Sequence, residues 1–438
     1  MSTRSITHAA RTLTLGALLV VPLAMVFAPA AASASSGTWT VVPAPSVSTT
    51  ENNALNGVAC ASATECWAVG FAPAGALGNQ PLIERYDGNT WTVAVGPNPT
   101  GSLFGDLQGV TCVAASNCWA VGQQGTGPLG AQTVQTLVMH FDGSGWSVVA
   151  SPNTSSSQTN ALNGVTCTAD AHCWAAGYAD SGSGATARPL TAFYDGATWR
   201  LVPSADPGES SQLNSVGCWQ DGCLAVGTTG QPLHPVVEQW DGSAWHLLAD
   251  PTGGAPAASL QGVTCPANAE CWAAGYATSS TLHTLVAQFA NGGWTVTPSV
   301  NEGSSTAPNH LFGVTCADTT DCWSVGEYQG ASSLQTLALQ YDGSSWFLDS
   351  SGNVATDNNT LNGVGCASST DCWAVGYHDA SSGLSIEQTL IEHYQPTPVT
   401  QTPDVPWAPA IVLVAAGSVA VREALRGRRT QERAAARR

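Results

Sequence analysis

The sequence contains no lysine, so all of its 12 basic residues are arginines. Most of them lie close to one terminus or the other, which leaves Arg85, Arg188 and Arg200 as the only basic residues of the long stretch between. Of the 30 acidic residues, only Glu423 and Glu432 lie outside that stretch, which therefore carries a formal charge of about −25. Such a surface repels the phosphate backbone of DNA and RNA, and this excludes nucleic-acid binding.

Several short motifs are missing as well. No D-x-[DN]-x-[DN]-G run, the signature of a calcium-binding loop, occurs in the chain. The histidines are scattered without the spacing of metal ligands, and most acidic residues stand in turns or before cysteines rather than in the close pairs of a glycosidase. We therefore predict no cofactor, no metal site and no catalytic residues.

The first 34 residues have the features of a secretory signal peptide. Arg4 and Arg11 form a basic region, an apolar run follows at 13–28, and the small residues at 32–34 give a cleavage pattern. We predict that residues 1–34 direct export and take no part in the fold.

The C-terminal end predicts a membrane anchor. Residues 405–421 form a run of 17 residues without charge, at the lower limit for spanning a bilayer. Trp407 stands where an interfacial aromatic is expected, and the arginines after the run satisfy the positive-inside rule. No LPxTG-like pentapeptide precedes the run, so we favour a retained single-pass plasma-membrane helix over sortase attachment. A linker at 397–404 and a cytoplasmic tail at 422–438 complete this prediction, and the lysine-free, alanine-rich composition is typical of a GC-rich bacterium.

Between these ends one unit is repeated seven times. LNGVAC at 55–60 is followed, after five residues, by CWAVG at 66–70. Successive first cysteines are 47 to 55 residues apart, a period that is typical of propeller blades. The same phrase starts again at Leu107, Leu162, Leu213, Leu260, Leu311 and Leu361.

Each repeat predicts four short strands, A to D. Strand A is the Gly-Val-x-Cys run, strand B is Cys-Trp-Ala-Val-Gly, and strand C is an apolar alternation that ends at an aromatic residue such as Tyr86. Asp87 and Gly88 then form a tight turn, because Asp-Gly suits the positive φ angles of hairpins, and strand D begins at Trp91.

The two ends of the repeat array predict a closed ring. The seventh repeat stops after strand C at Tyr394, whereas a spare strand D at 39–42 precedes the first strand A. Pairing of these ends would remove the exposed sheet edges of an open array. We therefore predict an all-β fold, a seven-bladed β-propeller at 36–396, closed by the N-terminal strand.

The glycine after strand B, the aromatic-Asp-Gly turn and the tryptophan that opens strand D resemble the kelch, or galactose-oxidase-type, propeller repeat. The resemblance covers Trp39 to Tyr394 and implies the propeller fold. Kelch repeats have two glycines where this chain has one, and they lack its cysteine pairs. Because propellers host many unrelated activities, the resemblance does not imply a function.

The 14 cysteines form local pairs that bracket each A–B hairpin. An even number in an exported chain favours disulfides, and facing strand positions bring two Cα atoms within about 5.5 Å. Metal binding by the paired thiolates is the alternative, but structural zinc needs about four ligands and no further ligands lie beside each hairpin. The pairs are Cys60/Cys66, Cys112/Cys118, Cys167/Cys173, Cys218/Cys223, Cys265/Cys271, Cys316/Cys322 and Cys366/Cys372.

A tryptophan follows the second cysteine in six repeats, and Leu224 follows it in the fourth. Exposed aromatic rings in a ring-shaped array would suit sugar binding. An identical strand position with an aliphatic replacement instead favours packing between blades.

The longer B–C and D–A connections, such as 72–80, 97–106 and 179–188, share one face of the predicted ring, and variable loops on a rigid scaffold usually carry recognition. At this face we single out amides near the start of strand A and aromatic residues just after strand B. The amides offer donors and acceptors to a ligand or satisfy neighbouring backbone, and the aromatic residues either stack on a ligand or cap the blade edge. The candidate binding residues are Asn56, Gln108, Asn163, Asn214, Gln261, Asn362, Phe71, Tyr178, Tyr276, Tyr328 and Tyr377.

Together these features predict a monomeric ectodomain that is displayed at the cell surface as a non-catalytic binding module. Its partner would be an extracellular glycan or a protein, recognised through the loop-rich face. An extracellular propeller hydrolase or lyase, or a purely structural envelope protein, is the alternative function.

Overall fold

The computed structural model describes residues 37–396 except 76–77, 95, 128–131, 170, 182–185, 255–256, 355–356 and 382–384. The predicted signal peptide, linker, membrane segment and tail lie outside the described residues. Within the described residues, no helix is long and apolar enough to cross a membrane.

The described chain forms seven antiparallel sheets of four strands each, which confirms the seven-bladed β-propeller. Blades 1 to 7 are numbered in chain order, and strands A to D run outwards from the central channel. Strands A are β2 (Ala54–Ser62), β6 (Ser102–Ala114), β10 (Asn160–Ala169), β14 (Ser211–Trp219), β18 (Ala258–Ala267), β22 (Asn309–Asp318) and β26 (Asn359–Ser368). Strands B are β3 (Glu65–Pro73), β7 (Asn117–Thr126), β11 (His172–Asp180), β15 (Gly222–Thr229), β19 (Glu270–Thr278), β23 (Asp321–Gln329) and β27 (Asp371–Ser381).

The outer two strands of each blade are shorter or more variable in length. Strands C are β4 (Asn79–Tyr86), β8 (Thr133–Phe141), β12 (Ala187–Tyr194), β16 (His234–Trp240), β20 (Leu282–Ala290), β24 (Leu334–Tyr341) and β28 (Ser385–Pro396). Strands D are β5 (Trp91–Val93), β9 (Trp146–Val149), β13 (Trp199–Val202), β17 (Trp245–Leu247), β21 (Gly293–Thr297), β25 (Trp346–Asp349) and, from the N-terminus, β1 (Gly37–Val42).

The N-terminal strand closes the ring, as the sequence predicts. Strand β1 pairs antiparallel with β28, with Trp39 opposite Tyr394, so blade 7 has the strand order β26-β27-β28-β1. Backbone hydrogen bonds therefore join the two ends of the described chain, and neither end leaves an unpaired sheet edge between blades 7 and 1.

Seven hydrophobic clusters, one at each junction between neighbouring blades, form the core. At six junctions the strand-B tryptophan meets the strand-D tryptophan of the next blade edge to face, with ring centroids 5.1–5.5 Å apart. At the remaining junction Leu224 is fully buried against blade 5. The tryptophans therefore pack between blades, in the geometry that aromatic quadrupoles favour.

Every strand A contains a β-bulge that explains the recurring glycine of strand B. In blade 2, Leu107 pairs with Gly122 and the next pair begins at Gly109, so Gln108 is the extra residue. The bulge brings the strand-A backbone over strand B, and a Cβ at Gly122 would overlap the carbonyl oxygen of Asp106. Only glycine leaves room for this close approach.

All fourteen cysteines form the predicted disulfides. Their Cα atoms are 3.9–4.1 Å apart, closer than the expected separation of about 5.5 Å. Cys60 and Cys66 face each other directly, as do most of the other pairs. The short separation is typical of non-hydrogen-bonded strand positions, for which about 4.5 Å is usual.

The two cysteines of each pair differ in exposure, which the spacing alone did not predict. The first cysteine lies on strand A and is half-buried, whereas the second lies on strand B and is buried within the core between blades. The second cysteines therefore belong to the hydrophobic core of the scaffold. They are Cys66, Cys118, Cys173, Cys271, Cys322 and Cys372, each 0% exposed, and Cys223, which is 3% exposed.

Strand C buries a glutamate at the same position in three blades, namely Glu84, Glu238 and Glu392, each 0% exposed. Burial raises the pKa of Glu238 and of Glu392 to about 7, although hydrogen bonds to each carboxylate oppose the shift. Burial also raises the pKa of Glu84 well above its usual value.

Of these three glutamates, only Glu84 lacks a hydrogen-bond partner on both carboxylate oxygens among the described residues. Glu392 accepts hydrogen bonds from the Ser351 hydroxyl at 2.8 Å and from the next N–H group at 3.0 Å, both just after strand D of blade 6. The equivalent positions before Glu84 are Ala44 and Pro45, which have neither a hydroxyl nor, at the proline, an N–H group. The unsatisfied carboxylate therefore follows from the sequence of the segment that closes the ring.

Candidate functional site

The inner strands of the seven blades surround a central channel with a cavity of about 720 Å³. In each blade the channel wall runs from the bulge residue of strand A towards its first cysteine. We call the end at the disulfides and Asp-Gly turns the hairpin end, and the end at the bulges and the B–C and D–A connections the loop end.

The bulge residues include all of the amides that the sequence singled out. In four blades the side-chain nitrogen of the bulge asparagine donates a hydrogen bond to the backbone carbonyl of the strand-A leucine in the next blade. The bonds run from Asn56 to Leu107 (2.8 Å), from Asn163 to Leu213 (2.7 Å), from Asn214 to Leu260 (2.8 Å) and from Asn362 to Leu55 (2.9 Å). These donors therefore tie neighbouring blades together.

The two glutamines and the sixth blade depart from this pattern. Gln108 donates to Asp106 Oδ2 at 2.8 Å, and Gln261 donates to the Ser259 hydroxyl at 2.7 Å. Phe312 occupies the bulge of blade 6 and lines the channel. The loop end thus combines a regular ring of inter-blade bonds with side chains that are particular to single blades.

Asp106 is one of these particular residues. Its Oδ1 accepts a hydrogen bond from Asn56 at 3.2 Å, and its Oδ2 accepts one from Gln108. Burial raises the pKa of Asp106 to about 6, although the hydrogen bonds from Gln108 and Gln123 oppose that rise. Both carboxylate oxygens are therefore held by amides of blades 1 and 2.

A second polar network joins blades 6 and 7 at the loop end. Glu327 Oε2 accepts a hydrogen bond from the Thr360 hydroxyl at 2.6 Å, and its Oε1 lies 3.2 Å from His310 Nδ1. The His310 ring meets Tyr276 of blade 5 edge to face, with centroids 5.0 Å apart. Burial raises the pKa of Tyr377, which also contacts Thr360. Aromatic and ionisable side chains from three blades therefore meet in one cluster.

Of the five aromatic candidates, only Tyr178 lines the channel, where Gln212 of the next blade accompanies it. Phe71 and Tyr377 pair across the sheet with strand A, and Tyr276 contacts His310. The structure brings these residues to the loop end of their blades but not into one continuous surface.

Tyr328 occupies a different position from the other four aromatics. Glu327 follows the strand-B glycine in blade 6, and Tyr328 comes one residue later, packed against the core between blades 5 and 6. A tyrosine near the end of strand B occurs in three other blades, so the sequence alone did not reveal that Tyr328 lies one residue further along.

Two kinds of predicted strand boundary need correction. All five aromatic candidates, predicted to follow strand B, lie within it, because these strands continue to Pro73, Asp180, Thr278, Gln329 and Ser381. Asp106, assigned to a D–A connection, lies within β6. In both cases strands A and B remain paired beyond the bulge, which extends each hairpin towards the loop end.

The sequence analysis missed Asp106, Gln212, His310, Glu327 and Thr360. They occupy the position before the strand-A leucine or the position after the strand-B glycine. These two positions differ from blade to blade in an otherwise regular repeat, and aligning the seven repeats reveals that variation. Within the described residues, no group of three or more His, Cys, Asp and Glu side chains is arranged to hold a metal ion.

The chain matches no family model and no curated protein. Among solved structures it is similar to an ulvan lyase of polysaccharide lyase family 25, with a TM-score of 0.51 and 10% identity over 78% of this chain and 94% of that chain. YCF48 bound to D1 peptide matches with a TM-score of 0.48 and 12% identity, over 81% and 96% of the two chains. A six-bladed, fucose-recognising lectin of the fungus Aleuria aurantia matches with a TM-score of 0.43 and 13% identity, over 67% and 97%. The likeness to the lyase supports the propeller fold alone.

Proposed function

We propose that this chain is a non-catalytic binding module that is anchored at the cell surface and recognises a glycan or a protein through its loop end. The observation that carries the proposal is the contrast within strand A. The channel wall repeats Gly-Val-x-Cys with few changes, whereas the side chains at the loop end differ between blades. Variable side chains on a rigid scaffold are typical of recognition sites.

The chemistry of the mouth suits a polar ligand group that enters the channel. Tyr178 offers an aromatic face and Gln212 offers amide donors and acceptors at the same rim. The cavity of about 720 Å³ lies within the usual range of about 300–1,000 Å³ for ligand sites. The end of a glycan chain or the tip of a peptide loop would fit this volume.

The hydrogen bonds of the carboxylates favour binding over catalysis. Asp106 is held by two amides, and Glu327 is held by Thr360 and His310. A general acid or base must be able to exchange a proton with its substrate, whereas one oxygen of each of these carboxylates accepts a hydrogen bond from the neighbouring blade. The seven disulfides support a place outside the cytoplasm, because such bonds persist in oxidising compartments.

The test is a binding screen of the full-length protein against a glycan array and against cell-surface proteins of its host. We expect Tyr178→Ala and Gln212→Ala each to weaken a reproducible interaction by about fivefold or more, since each removes a stacking face or a hydrogen-bonding group. Thr92→Ala, on an outer strand, is the matched control and should bind normally. An interaction that survives both rim changes would contradict the proposed site, and the absence of any interaction would favour a structural envelope role.

A further inference from the structure

A cleft of about 330 Å³ opens between blades 3 and 4 at the hairpin end, away from the proposed binding mouth. Half-buried aromatic rings form much of its wall, and polar side chains lie around it. The aromatic residues are Phe193, Trp219 and Trp240, and the exposed polar residues are His172, Arg200 and Asp221.

The other blades show what normally occupies this place. In blade 7, His393 stacks on Trp373 with ring centroids 3.8 Å apart, and its Nε2 lies 2.7 Å from Asp371 Oδ1. In blade 1, Arg85 lies over the equivalent tryptophan and makes two hydrogen bonds to Glu65, at 2.6 and 2.9 Å. A polar strand-C residue, held by the residue before the second cysteine, thus covers the tryptophan.

Blade 3 lacks this pair of polar side chains that hydrogen-bond to each other. Phe193 takes the strand-C position, with its ring 4.9 Å from Trp174, and His172 takes the position before the cysteine. The opposite strand-D position carries Arg200, where blades 1, 5 and 7 have threonine. The guanidinium of Arg200 lies over the Phe193 ring at 5.1 Å. These replacements place the apolar ring of Phe193 beside the positive charge of Arg200.

Blade 4 completes the cleft with its own departures from the repeat. Its two cysteines are five residues apart rather than six, and Trp219 stands directly after the first of them. A Cβ at Gly222 would collide with the Trp219 ring, so the glycine lets the ring lie flat on the shortened hairpin. The exceptional features of two neighbouring blades therefore meet at one place.

Arg200 also differs from the other basic residues of the described chain. Arg85 and Arg188 form ion pairs with Glu65 and Asp206, whereas no carboxylate oxygen of the described residues lies within 4.0 Å of Arg200. The nearby Asp195 accepts hydrogen bonds from two N–H groups of its own turn, at 3.0 and 2.9 Å. The Arg200 side chain is therefore available to an external anion.

We propose that this cleft binds a pyranose ring that carries a carboxylate, that is, one hexuronic acid unit of a glycan. The apolar face of the ring would pack on Trp219 and Trp240, the carboxylate would accept hydrogen bonds from Arg200, and Asp221 would accept a hydrogen bond from a hydroxyl. The volume of the cleft is close to the lower end of the range for ligand sites. The acidic charge of the propeller does not prevent this contact, because salt screens distant charges beyond about 8 Å.

The test compares methyl glycosides of glucuronate, galacturonate and mannuronate with their neutral hexose counterparts, titrated into the full-length protein and followed by ligand-observed NMR. We expect at least one uronide to bind about tenfold or more tightly than its neutral counterpart, since hydrogen bonds to charged groups are the stronger ones. Arg200→Thr should abolish this difference. Arg188→Thr changes the net charge equally but lies outside the cleft, and it should leave binding unchanged.

Two further variants separate this site from the channel mouth. Phe193→Gln introduces the residue of blades 4, 5 and 6, and it should weaken uronide and neutral glycoside alike by about fivefold through loss of apolar contact. Tyr178→Ala should leave uronide binding intact, so the two sites can fail independently. A wild-type protein that binds no uronide at ~10 mM, or an Arg200→Thr protein that binds it as before, would overturn the proposal.

Discussion

The hairpin end and the loop end of the propeller belong to the same seven sheets, yet they are built differently. At the hairpin end every blade repeats a disulfide and a strand-D tryptophan, and five blades repeat an Asp-Gly turn. At the loop end the inter-blade contacts change from an asparagine–carbonyl bond to a Glu327–Thr360 bond or a Tyr276–His310 ring contact. Repetition thus marks positions that hold the ring together, and departures from it mark positions that are free to acquire a function.

The largest effect on the free energy of unfolding should come from reduction of the disulfides at the hairpin end. Each disulfide closes a short loop and should contribute about 1–3 kcal/mol to the free energy of unfolding. The sum of seven approaches or exceeds the ~5–15 kcal/mol net stability of a typical domain, so full reduction should unfold the propeller. Circular dichroism and thermal melts with and without reductant check this, and Cys112→Ala with Cys118→Ala is the control that should lose only one increment. A fully reduced protein that melts within a few degrees of the native one would contradict this assignment.

The next effect should come from the buried carboxylates. The pKa values of Asp106, Glu238 and Glu392 are raised to about 6, 7 and 7 in the folded protein. Between about pH 4 and pH 7 the unfolded chain therefore loses these protons first, and the free energy of unfolding should fall by several kcal/mol across that window. Above pH 7 this contribution is constant.

The aspartates of the tight turns should lower the stability of the protein at acidic pH. Backbone N–H donors lower the pKa of Asp87, so its contribution to stability is lost as the pH falls below about 4. Urea unfolding at several pH values should show a maximum near pH 4–5. Stability that rises steadily from pH 5 to pH 8 would refute the assignment of raised pKa values to the buried groups.

A single substitution measures how much the unpartnered carboxylate of Glu84 costs in stability. Glu84→Met introduces the residue that blade 2 has at this position, and it should raise the free energy of unfolding at pH 8 by about 1–3 kcal/mol by removing an unpartnered buried group. The gain should shrink as the pH is lowered, because burial raises the pKa of Glu84 and a protonated carboxyl costs less to bury than a carboxylate. Glu392→Met is the matched control and should stabilise less, because it also removes two hydrogen bonds.

The smallest effect on stability should come from the asparagine–carbonyl hydrogen bonds between neighbouring blades. Asn163→Ala removes the bond to the Leu213 carbonyl and should lower the free energy of unfolding by about 1 kcal/mol. The loss should appear in urea unfolding while ligand binding at the mouth persists. A loss of binding without a loss of stability would instead assign the amides to recognition.

The sequence predicted the scaffold more fully than the site. The cysteine pairs, the tryptophans and the split repeat at Tyr394 predicted the disulfides, the inter-blade core and the closure by β1, because each repeats a local rule seven times or breaks it at the chain ends. The partners of Asp106 and Glu327 could not be predicted, because they belong to other blades and depend on how the bulges bring neighbouring strands together. The cleft at Arg200 likewise arises from departures in two blades that become neighbours only in the ring.

The most direct test of the central claim, that the loop end is the recognition face, is to block each end of blade 4 in turn. All native cysteines are paired, so Gln212→Cys at the channel mouth and Gln220→Cys at the hairpin end each provide one exposed thiol for a bulky maleimide label. For a ligand found in the binding screen, we predict that the label at position 212 abolishes binding and that the label at position 220 leaves it intact. Retained binding with position 212 labelled, together with loss when position 220 is labelled, would contradict the account and move recognition to the hairpin end.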